Sequence, residues 1–281
     1  MVEGQEGVAW EQWVALARAA EDAGLDGLFR SDHFRSIVRG EPAGALEAWA
    51  TLAGLAAVTE RIRLGTLVSP VTFRRVSVLA KVVTTVDHIS NGRVELGLGA
   101  GWYEAEHEAY GLRFPPLRER LDELDRQLPE LIREWTDDDA IEPKPVQRPR
   151  PPLIVGGSAK PRTVRAAVAR ADEYTTDWPT VDEARERRRA VDDAAREAGR
   201  EPLRFSMMTG CVIGRDDAEV RERLAAFKAV SGRDRPQLAG TVDEVAEQLS
   251  AYENAGVERV MLQHLVHEDV DMVHVLGELV S

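Results

Sequence analysis

The sequence predicts a parallel (βα)8 barrel, built as one domain over residues 1–281. Seven β-rich runs alternate with helical runs, and 281 residues suit a barrel, which typically has about 250. An eighth strand must precede the first helix, where only MVEGQ is available, so we expect a shortened first strand. An open doubly wound sheet is the alternative, although no GxGxxG motif follows a strand. The seven runs are LFRS, RLGTLV, VELGLG, LIVGG, EYTTD, FSMMTGCVI and RVMLQH.

The stretch 61–102 gives the clearest helix and strand signals. A short β-rich run from Ile62 to Val68 leads to a helix from Val76 to Ile89, whose apolar residues have helical spacing. Asn91-Gly92 ends that helix, and apolar residues then occupy every second position from Val94 to Leu98. A strand, a crossover helix and a second strand form a βαβ unit, so the two strands should be parallel neighbours.

The polar positions of these two strands are expected to face the barrel interior. Arg63 and Glu95 have this phase on adjacent strands, and a lone buried charge is prohibitive. We therefore expect them to pair with each other or with Arg30. Glycines with the same phase should leave space for a ligand at the carboxyl ends of the strands. These glycines are Gly65, Gly97 and Gly99.

The other helices are predicted from apolar residues at helical spacing and from end signals. In the first, Trp10, Trp13 and Ala17 share one side, and Gly24 ends the helix. A charged helix that runs through Ala-Gly into a strand recurs twice later, which is typical of stacked helix–strand units. The predicted ranges are Trp10–Ala23, Leu46–Val58, Leu117–Trp135, Arg162–Ala171, Val181–Ala198, Ala218–Val230, Val242–Ala255 and a last helix from about Val270.

Composition argues against several classes of partner. The net charge of −13 disfavours nucleic acid and anionic membrane surfaces. The single cysteine, Cys211, cannot form an internal disulfide, which suits a reducing compartment. No apolar stretch is long enough to span a bilayer, and MVEGQEGVAW lacks the apolar core of a signal peptide. We expect a cytoplasmic protein.

Active sites of parallel barrels lie at the carboxyl ends of the strands. None of the four lysines ends a strand, which removes a Schiff-base mechanism. No metal is predicted, because the sequence has neither a His-x-His pair nor an HExxH motif. The segments selected by this rule are Ser31-Asp32-His33, Leu67-Val68-Ser69, Gly99-Ala100-Gly101-Trp102, Gly156-Gly157-Ser158, Asp177-Trp178 and Gln263-His264.

Two glycine turns among these segments suit a phosphorylated ligand. Gly156-Gly157-Ser158 precedes a helix, where backbone N–H groups and the helix dipole favour a phosphate. A tight turn between strand and helix is the alternative for this segment and for Gly99-Ala100-Gly101. His33 follows a strand and is a candidate acid or base near neutral pH, with a structural histidine as its alternative. Trp102 and Trp178 are candidates to wall an aromatic ligand.

The segments RSDHF, LGTLVSPVTFRRVSVLAKVVTTVDHISNGRVELGLGAGWYEAEHEAYG and PPLIVGGSAKPRTVRAAVARADEY resemble the bacterial luciferase-like superfamily. Within it the chain looks most like oxidoreductases that use the deazaflavin coenzyme F420. The resemblance implies a (βα)8 barrel of the luciferase-like type, commonly a homodimer. It also implies hydride transfer between F420 and a small organic substrate that the sequence does not identify. The alternatives are an FMN-dependent luciferase-like monooxygenase and a cofactor-binding protein without catalysis.

The resemblance also implies roles for individual residues. Asp32 and His33 match the pair beside the deazaflavin ring, with His33 as the proton donor or acceptor. Leu67-Val68 matches a bulge with a non-prolyl cis peptide that backs the ring. Trp102 stands where sugar-phosphate dehydrogenases of the family have a glutamate, so a sugar phosphate substrate is not predicted. The loop lining the cofactor and the turn holding its phosphate are matched by Gly99, Ala100 and Gly101, and by Gly156, Gly157 and Ser158.

Overall fold

The computed structural model describes residues 1–38 and 43–280, which form eight strands, ten α-helices and a 3-10 turn at Gly4–Glu6. The strands are β1 (Gly27–Arg30), β2 (Arg63–Pro70), β3 (Val94–Gly99), β4 (Leu153–Gly156), β5 (Glu173–Asp177), β6 (Arg204–Gly214), β7 (Leu238–Thr241) and β8 (Arg259–Gln263). The helices are α1 (Trp10–Asp22), α2 (Ala48–Val58), α3 (Val76–Ser90), α4 (Glu104–Ala109), α5 (Leu117–Thr136), α6 (Pro161–Arg170), α7 (Val181–Glu197), α8 (Asp217–Ser231), α9 (Val242–Glu253) and α10 (Val270–Gly277).

The strands form a nearly closed parallel barrel, which confirms the predicted fold class. Strands β1 to β6 pair in chain order, and β8 pairs with β6. The remaining gap, between β8 and β1, is bridged at one point by Val2, which lies opposite both Arg30 and His264. The prediction of a shortened first strand is therefore confirmed, since this strand is reduced to the pairing of Val2.

Two elements were not predicted. Strand β7 has only four residues, LAGT, and its short pattern contains no run of β-branched or aromatic side chains. It pairs with the last four residues of β6, from Cys211 to Gly214, beyond the stretch of β6 that pairs with β5 and β8. Helix α4 lies in the polar stretch after Trp102, where EAEHEA has no apolar residues at helical spacing beyond its alanines.

The nine predicted helices agree with the structure within about two residues at each end, because residues that favour helix ends occupy these ends in the structure. Asn91 has the left-handed conformation (φ 54°) that ends α3. The Thr180 hydroxyl accepts a hydrogen bond from the Glu183 N–H, and the Glu183 carboxylate accepts one from the Thr180 N–H, at the start of α7. In the described part of the chain, no helix is long and apolar enough to cross a bilayer.

The predicted pairing of Arg63 with Glu95 is confirmed. The Arg63 guanidinium donates to Glu95, whose side chain is buried at the amino-terminal end of the barrel. Arg259 on β8, which was not predicted here, donates to Glu95 Oε2 at 2.7 Å and to Glu173 Oε2 at 2.6 Å. Burial opposes ionisation of Glu95, but Arg259 and then Arg63 outweigh it and lower the pKa of this carboxyl. Arg30, the alternative partner, lies instead over the Trp13 ring.

The space beside the inward glycines is filled by the protein itself, so the expectation of open space there was wrong. A Cβ atom on Gly97 or Gly99 would lie 2.9 Å or 2.6 Å from the side chain of Val68. A Cβ atom on Gly65 would lie 2.6 Å from the Phe29 ring. Val68 projects inward because β2 bulges between Thr66 and Ser69, and the Leu67–Val68 peptide bond in this bulge is cis. Gly97 and Gly99 therefore make room for the bulge, and Gly65 makes room for the Phe29 ring.

Candidate active site

His33 follows β1 at the carboxyl end of the barrel and is paired with a buried carboxylate. Its Nδ1 atom lies 2.8 Å from Oε1 of Glu106, a residue of α4 with no exposed surface. The second oxygen of Glu106 accepts a hydrogen bond of 2.9 Å from the Phe34 N–H. Burial disfavours the imidazolium, but the hydrogen bond and the charge of Glu106 prevail and raise the pKa of His33 above its ordinary value.

Helix α4 is held in place by contacts to the segments that follow β1 and β2. The next residue after Glu106, His107, is buried, with Nε2 2.7 Å from the Thr72 hydroxyl and Nδ1 2.8 Å from the Tyr103 carbonyl oxygen. The ring of Phe73, which follows β2, lies against the His107 ring with centroids 5.1 Å apart. These contacts fix the carboxylate of Glu106 relative to the imidazole of His33.

Asp32, the predicted neighbour of the cofactor ring, is buried, and both of its carboxylate oxygens accept hydrogen bonds from protein groups. Arg74 donates to its two oxygens, at 2.6 Å and 3.1 Å, and the Ser69 hydroxyl donates to Oδ2 at 2.6 Å. The Trp49 indole N–H donates to the same hydroxyl at 3.1 Å. Arg74 also donates to Glu47. Asp32 is therefore well placed to fix the backbone that carries His33, and its contact with a cofactor stays a prediction.

Aromatic side chains border His33. Its ring meets those of Trp102 and Tyr103 edge to face, at centroid distances of 5.7 Å and 6.1 Å. Trp102 and Tyr103 stack on each other at 5.3 Å, and 62% of Trp102 is exposed. Trp178, the other predicted wall residue, packs against Gly210, with Arg233 5.3 Å from its ring. An exposed indole beside an imidazole can bind a flat or apolar molecule.

The glycine turn after β4 lies where it was predicted, but part of its backbone is already used. The Gly157 N–H donates to the Thr175 carbonyl oxygen at 3.0 Å, and the Ala159 N–H donates to the Tyr174 hydroxyl at 2.8 Å. A side chain on Gly157 would crowd the Tyr174 hydroxyl, 3.0 Å from the Cβ position. Ser158 is exposed at the tip of the turn, ahead of the ten-residue helix α6.

The loop Gly99-Ala100-Gly101 folds over the end of β2. The Val71 N–H donates to the Gly99 carbonyl oxygen at 2.9 Å, and Arg120 donates to the carbonyl oxygen of Gly101. Gly101 has a φ of 79°, which favours glycine, and a Cβ atom there would lie 3.1 Å from the Thr72 hydroxyl oxygen. Ala100 and Gly101 remain half-buried, so this loop leads from the barrel to Trp102.

His264, the weaker histidine candidate, is buried away from solvent. Burial lowers the pKa of its imidazole to about 4. Within residues 1–38 and 43–280, neither ring nitrogen has a hydrogen-bond partner. A neutral buried ring is a poor proton carrier near pH 7, so His33 is the stronger candidate.

Sequence reasoning missed Glu106 and Arg74 as functional residues. Glu106 is one of three glutamates in EAEHEA, and nothing in that pattern separates the buried one from its exposed neighbours. Arg74 belongs to an Arg-Arg pair that precedes α3 and reads as ordinary surface charge. Only the folded chain brings each of them to the Asp32-His33 segment.

The sequence of the chain is also similar to those of known proteins. A sequence model described as luciferase-like monooxygenase matches residues 2–238. The chain therefore belongs to the luciferase-like monooxygenase family, whose members are oxidoreductases.

Relatives differ in how much of the chain they match. An uncharacterized protein of Mycobacterium tuberculosis is 30% identical over 268 residues, which cover 85% of this chain and 90% of the relative. An F420-dependent glucose-6-phosphate dehydrogenase of Amycolatopsis mediterranei is 37% identical over 153 residues, 50% of this chain and 45% of the relative.

Two solved structures have the same fold. An F420-dependent secondary alcohol dehydrogenase, in complex with an F420-acetone adduct, has a TM-score of 0.83 at 17% identity, and the match covers 99% of this chain and 96% of that one. The oxygenating constituent of 3,6-diketocamphane monooxygenase of Pseudomonas putida, in complex with FMN, has a TM-score of 0.79 at 16% identity with the same coverage.

Proposed function

We propose that this protein is an oxidoreductase that transfers a hydride between coenzyme F420 and a small organic substrate. The observation that carries this proposal is the pair of His33 with buried Glu106, at the carboxyl end of a luciferase-like barrel. The choice of F420 is supported by relatives that match part of the chain. FMN is the alternative cofactor, since a protein of the same fold is described in complex with it.

The residues present fit a flat ring with a phosphate-bearing chain. Val68 fills the spaces beside Gly97, Gly99 and Gly156, so the bulge of β2 offers an apolar surface inside the barrel mouth. We assign the ring to this surface, with the loop Gly99-Ala100-Gly101 beside it. The phosphate would be held by Ser158 and the first-turn N–H groups of α6, since the Gly157 N–H is already bonded. F420, when bound, supplies or accepts the hydride.

His33 is assigned the proton transfer that accompanies the redox step. Its Nδ1 is held by Glu106, which leaves Nε2 to exchange a proton with the substrate oxygen. The Glu106 carboxylate stabilises the imidazolium after it has taken up a proton. Oxidation of an alcohol then needs the neutral imidazole as the base, and reduction of a carbonyl needs the imidazolium as the acid.

Asp32 and Arg74 are assigned positioning roles. Their two-point contact, with Ser69 as a further donor, ties the His33 backbone to the segment that follows β2. Since a displacement of about 1 Å can lower a rate a hundredfold, this anchoring is expected to matter for turnover. Trp102 and Tyr103 shield the imidazole from bulk water on one side.

The test is a titration of the purified protein with F420 and with FMN, each followed by fluorescence. We expect F420 to bind at least about tenfold more tightly, a difference of about 1.4 kcal/mol. Tighter binding of FMN would reverse the assignment. His33→Gln is the matched variant, because it keeps the size of the side chain and removes the titrating group. If His33 transfers the proton, turnover of the variant should fall by about 10²- to 10⁴-fold, while its affinity for F420 stays near that of the parent.

A further inference from the structure

Trp178 has a backbone conformation that bulky residues rarely adopt. Its φ is 44°, in the left-handed region, which favours glycine and asparagine over a large side chain. Such a conformation persists only where the surrounding structure enforces it, and it is concentrated at ligand-binding and catalytic sites. Trp178 directly follows β5 at the carboxyl end of the barrel, where the ligands of such folds bind.

Hydrogen bonds from neighbouring segments enforce this conformation. The Gln237 amide nitrogen donates to the carbonyl oxygens of Trp178 and Pro179, at 3.2 Å and 3.0 Å. The Tyr252 hydroxyl donates to the Pro179 carbonyl oxygen at 2.9 Å. The Trp178 N–H donates to the Met208 carbonyl oxygen at 2.8 Å. Because the backbone is bound on both sides of Trp178, the direction of its side chain is fixed.

The fixed indole projects into the barrel mouth. A Cβ atom on Gly210 would lie 2.6 Å from Cη2 of the Trp178 ring. Gly210 faces the barrel interior, because Met208, two residues earlier on β6, packs inside the barrel with Phe29 and Met261. The glycine therefore lets the indole take the place of an inward side chain of β6.

The indole lies across the mouth from the surface assigned to the cofactor ring. The strands pair in the order β2-β3-β4-β5-β6, so β6 is four steps from β2, and in a barrel of eight strands four steps lead to the opposite wall. Val68 projects inward from β2, and the Trp178 ring lies on Gly210 of β6. A substrate on the free face of the cofactor ring therefore lies between this ring and the indole.

We propose that Trp178 determines substrate specificity by stacking on a planar aromatic ring that carries the reacting carbonyl or alcohol group. This inference rests on the proposed function, because the cofactor ring forms the other side of the site. The Arg233 guanidinium covers one face of the indole, 5.3 Å from its centre, so the substrate meets the other face. The substrate class is that of aryl ketones and the corresponding aryl carbinols.

The charges beside the indole favour an uncharged substrate. Arg233 and Asp177 are both exposed next to Trp178 and have opposite charges. Arg187, a further cation on this side, is held by the Asp177 carbonyl oxygen at 3.2 Å and by Glu183 Oε1 at 3.3 Å. An anion would be repelled by Asp177 and a cation by Arg233, so a neutral aromatic ring fits this wall.

The reaction assigned to this substrate is a balanced two-electron transfer. In the reducing direction, a hydride from reduced F420 forms the new C–H bond at the carbonyl carbon. The electron pair of the C=O π bond moves to the oxygen, which takes a proton from Nε2 of the His33 imidazolium. The products are the aryl carbinol, oxidised F420 and the neutral imidazole, and the reverse reaction oxidises the carbinol.

The experiment is an NMR titration of the isotope-labelled protein, alone and loaded with F420 or FMN, with acetophenone and with cyclohexyl methyl ketone. The two probes have the same skeleton, but only acetophenone has a planar ring. The indole N–H signal of Trp178 is identified by its loss in Trp178→Leu. We expect acetophenone to shift this signal and to bind at least about fivefold more tightly than the cyclohexyl ketone.

Variants separate the indole from the rest of the site. Trp178→Leu should remove the preference for the planar ring, and Trp178→Phe should restore most of it. Gln237→Leu keeps the indole but releases its backbone, and it should weaken acetophenone binding about fivefold. Trp10→Leu, on the outer helix α1, should leave both affinities unchanged.

Three results would overturn the proposal. They are an unmoved Trp178 signal at saturating acetophenone, equal affinities of the parent for the two ketones, and a preference for the planar ring that survives in Trp178→Leu. Turnover of acetophenone with reduced F420 is measured separately. Binding with the expected preference but without oxidation of F420 would contradict the proposed function and still support the role of Trp178.

Discussion

His33 and Glu106 are separated by 73 residues, yet Nδ1 of the imidazole lies 2.8 Å from Oε1 of the carboxylate. The carboxylate is fully buried and its other oxygen is bound by the Phe34 N–H, so it has no freedom to turn towards water. The pair therefore fixes both the direction of the imidazole ring and the proton affinity of its second nitrogen.

Glu106→Gln should lower the pKa of His33, because the amide can accept the Phe34 N–H bond but carries no charge. In the parent the raised pKa keeps the imidazolium populated to higher pH. The arm of the pH–rate profile that reports His33 should therefore move to lower pH in the variant. The charged His33 also contributes to the free energy of unfolding. This contribution is full below the ordinary pKa of histidine and is lost as pH rises through the raised pKa, so it should be smaller in the variant. NMR titration of the His33 ring measures the pKa directly, and an unmoved pKa would contradict the pairing.

Glu95→Ala should destabilise the barrel by about 3–5 kcal/mol, because Arg63 and Arg259 lose a buried carboxylate partner. Denaturant unfolding at pH 7 measures this difference. Since the pKa of Glu95 is lowered in the fold, its contribution is present above the unfolded pKa and is lost as pH falls through the folded one. Asp193→Ala is the control, an exposed partner of Arg196 on α7 that should cost at most about 1 kcal/mol. Equal losses from the two variants would refute the inward placement of Glu95.

Arg74→Ala should leave the buried Asp32 carboxylate with the Ser69 hydroxyl as its one side-chain partner among residues 1–38 and 43–280, at a cost of about 3–5 kcal/mol. Arg74→Lys keeps the charge but cannot donate from two nitrogens to both oxygens, so it should recover only part of the stability. Turnover should follow the same order as stability, while the pKa of His33 stays closer to that of the parent than in Glu106→Gln. Full activity of Arg74→Ala would remove the positioning role.

We propose that the outer faces of α2 and α3 form the interface of a two-fold homodimer. Ala50 and Ala57 on α2, with Val78 and Ile89 on α3, are exposed apolar residues on neighbouring helices. Light scattering should give twice the mass of one chain at micromolar concentration. Val78→Arg should shift the protein to the monomer, whereas Ala225→Arg, on exposed α8, should not. A monomeric parent would remove this proposal.

The sequence predicted those parts of the fold that depend on repeated patterns. Helix periodicity and end signals placed nine helices, and the phase of Arg63 and Glu95 predicted their contact across two strands. Strand β7 was missed because LAGT has a single β-branched residue and no aromatic one, unlike the equally short β1 and β4, and its partner lies far along β6.

The sequence predicted which residues of the candidate site follow strand ends, but it did not predict their hydrogen-bond partners. The position of His33 after a strand is a local property, so the sequence could indicate it. The identity of its partner depends on where α4 packs, which is set by the contacts of His107 with Thr72 and Phe73. No local pattern distinguishes Glu106 from Glu104 or Glu108, and the same holds for Arg74 beside Arg75.

The length of β6 gives this strand two sets of partners. Its first part, from Arg204 to Gly210, pairs with β5 and β8, while Cys211 to Gly214 pairs with β7. The side chains of the second part divide between two cores, since Cys211 and Ile213 belong to the main core and Val212 belongs to a small separate cluster with Phe227. Trp178 packs on Gly210, where β6 changes partner, so local unfolding of β7 and α8 is expected to loosen the contact of Trp178 at the rim of the barrel mouth.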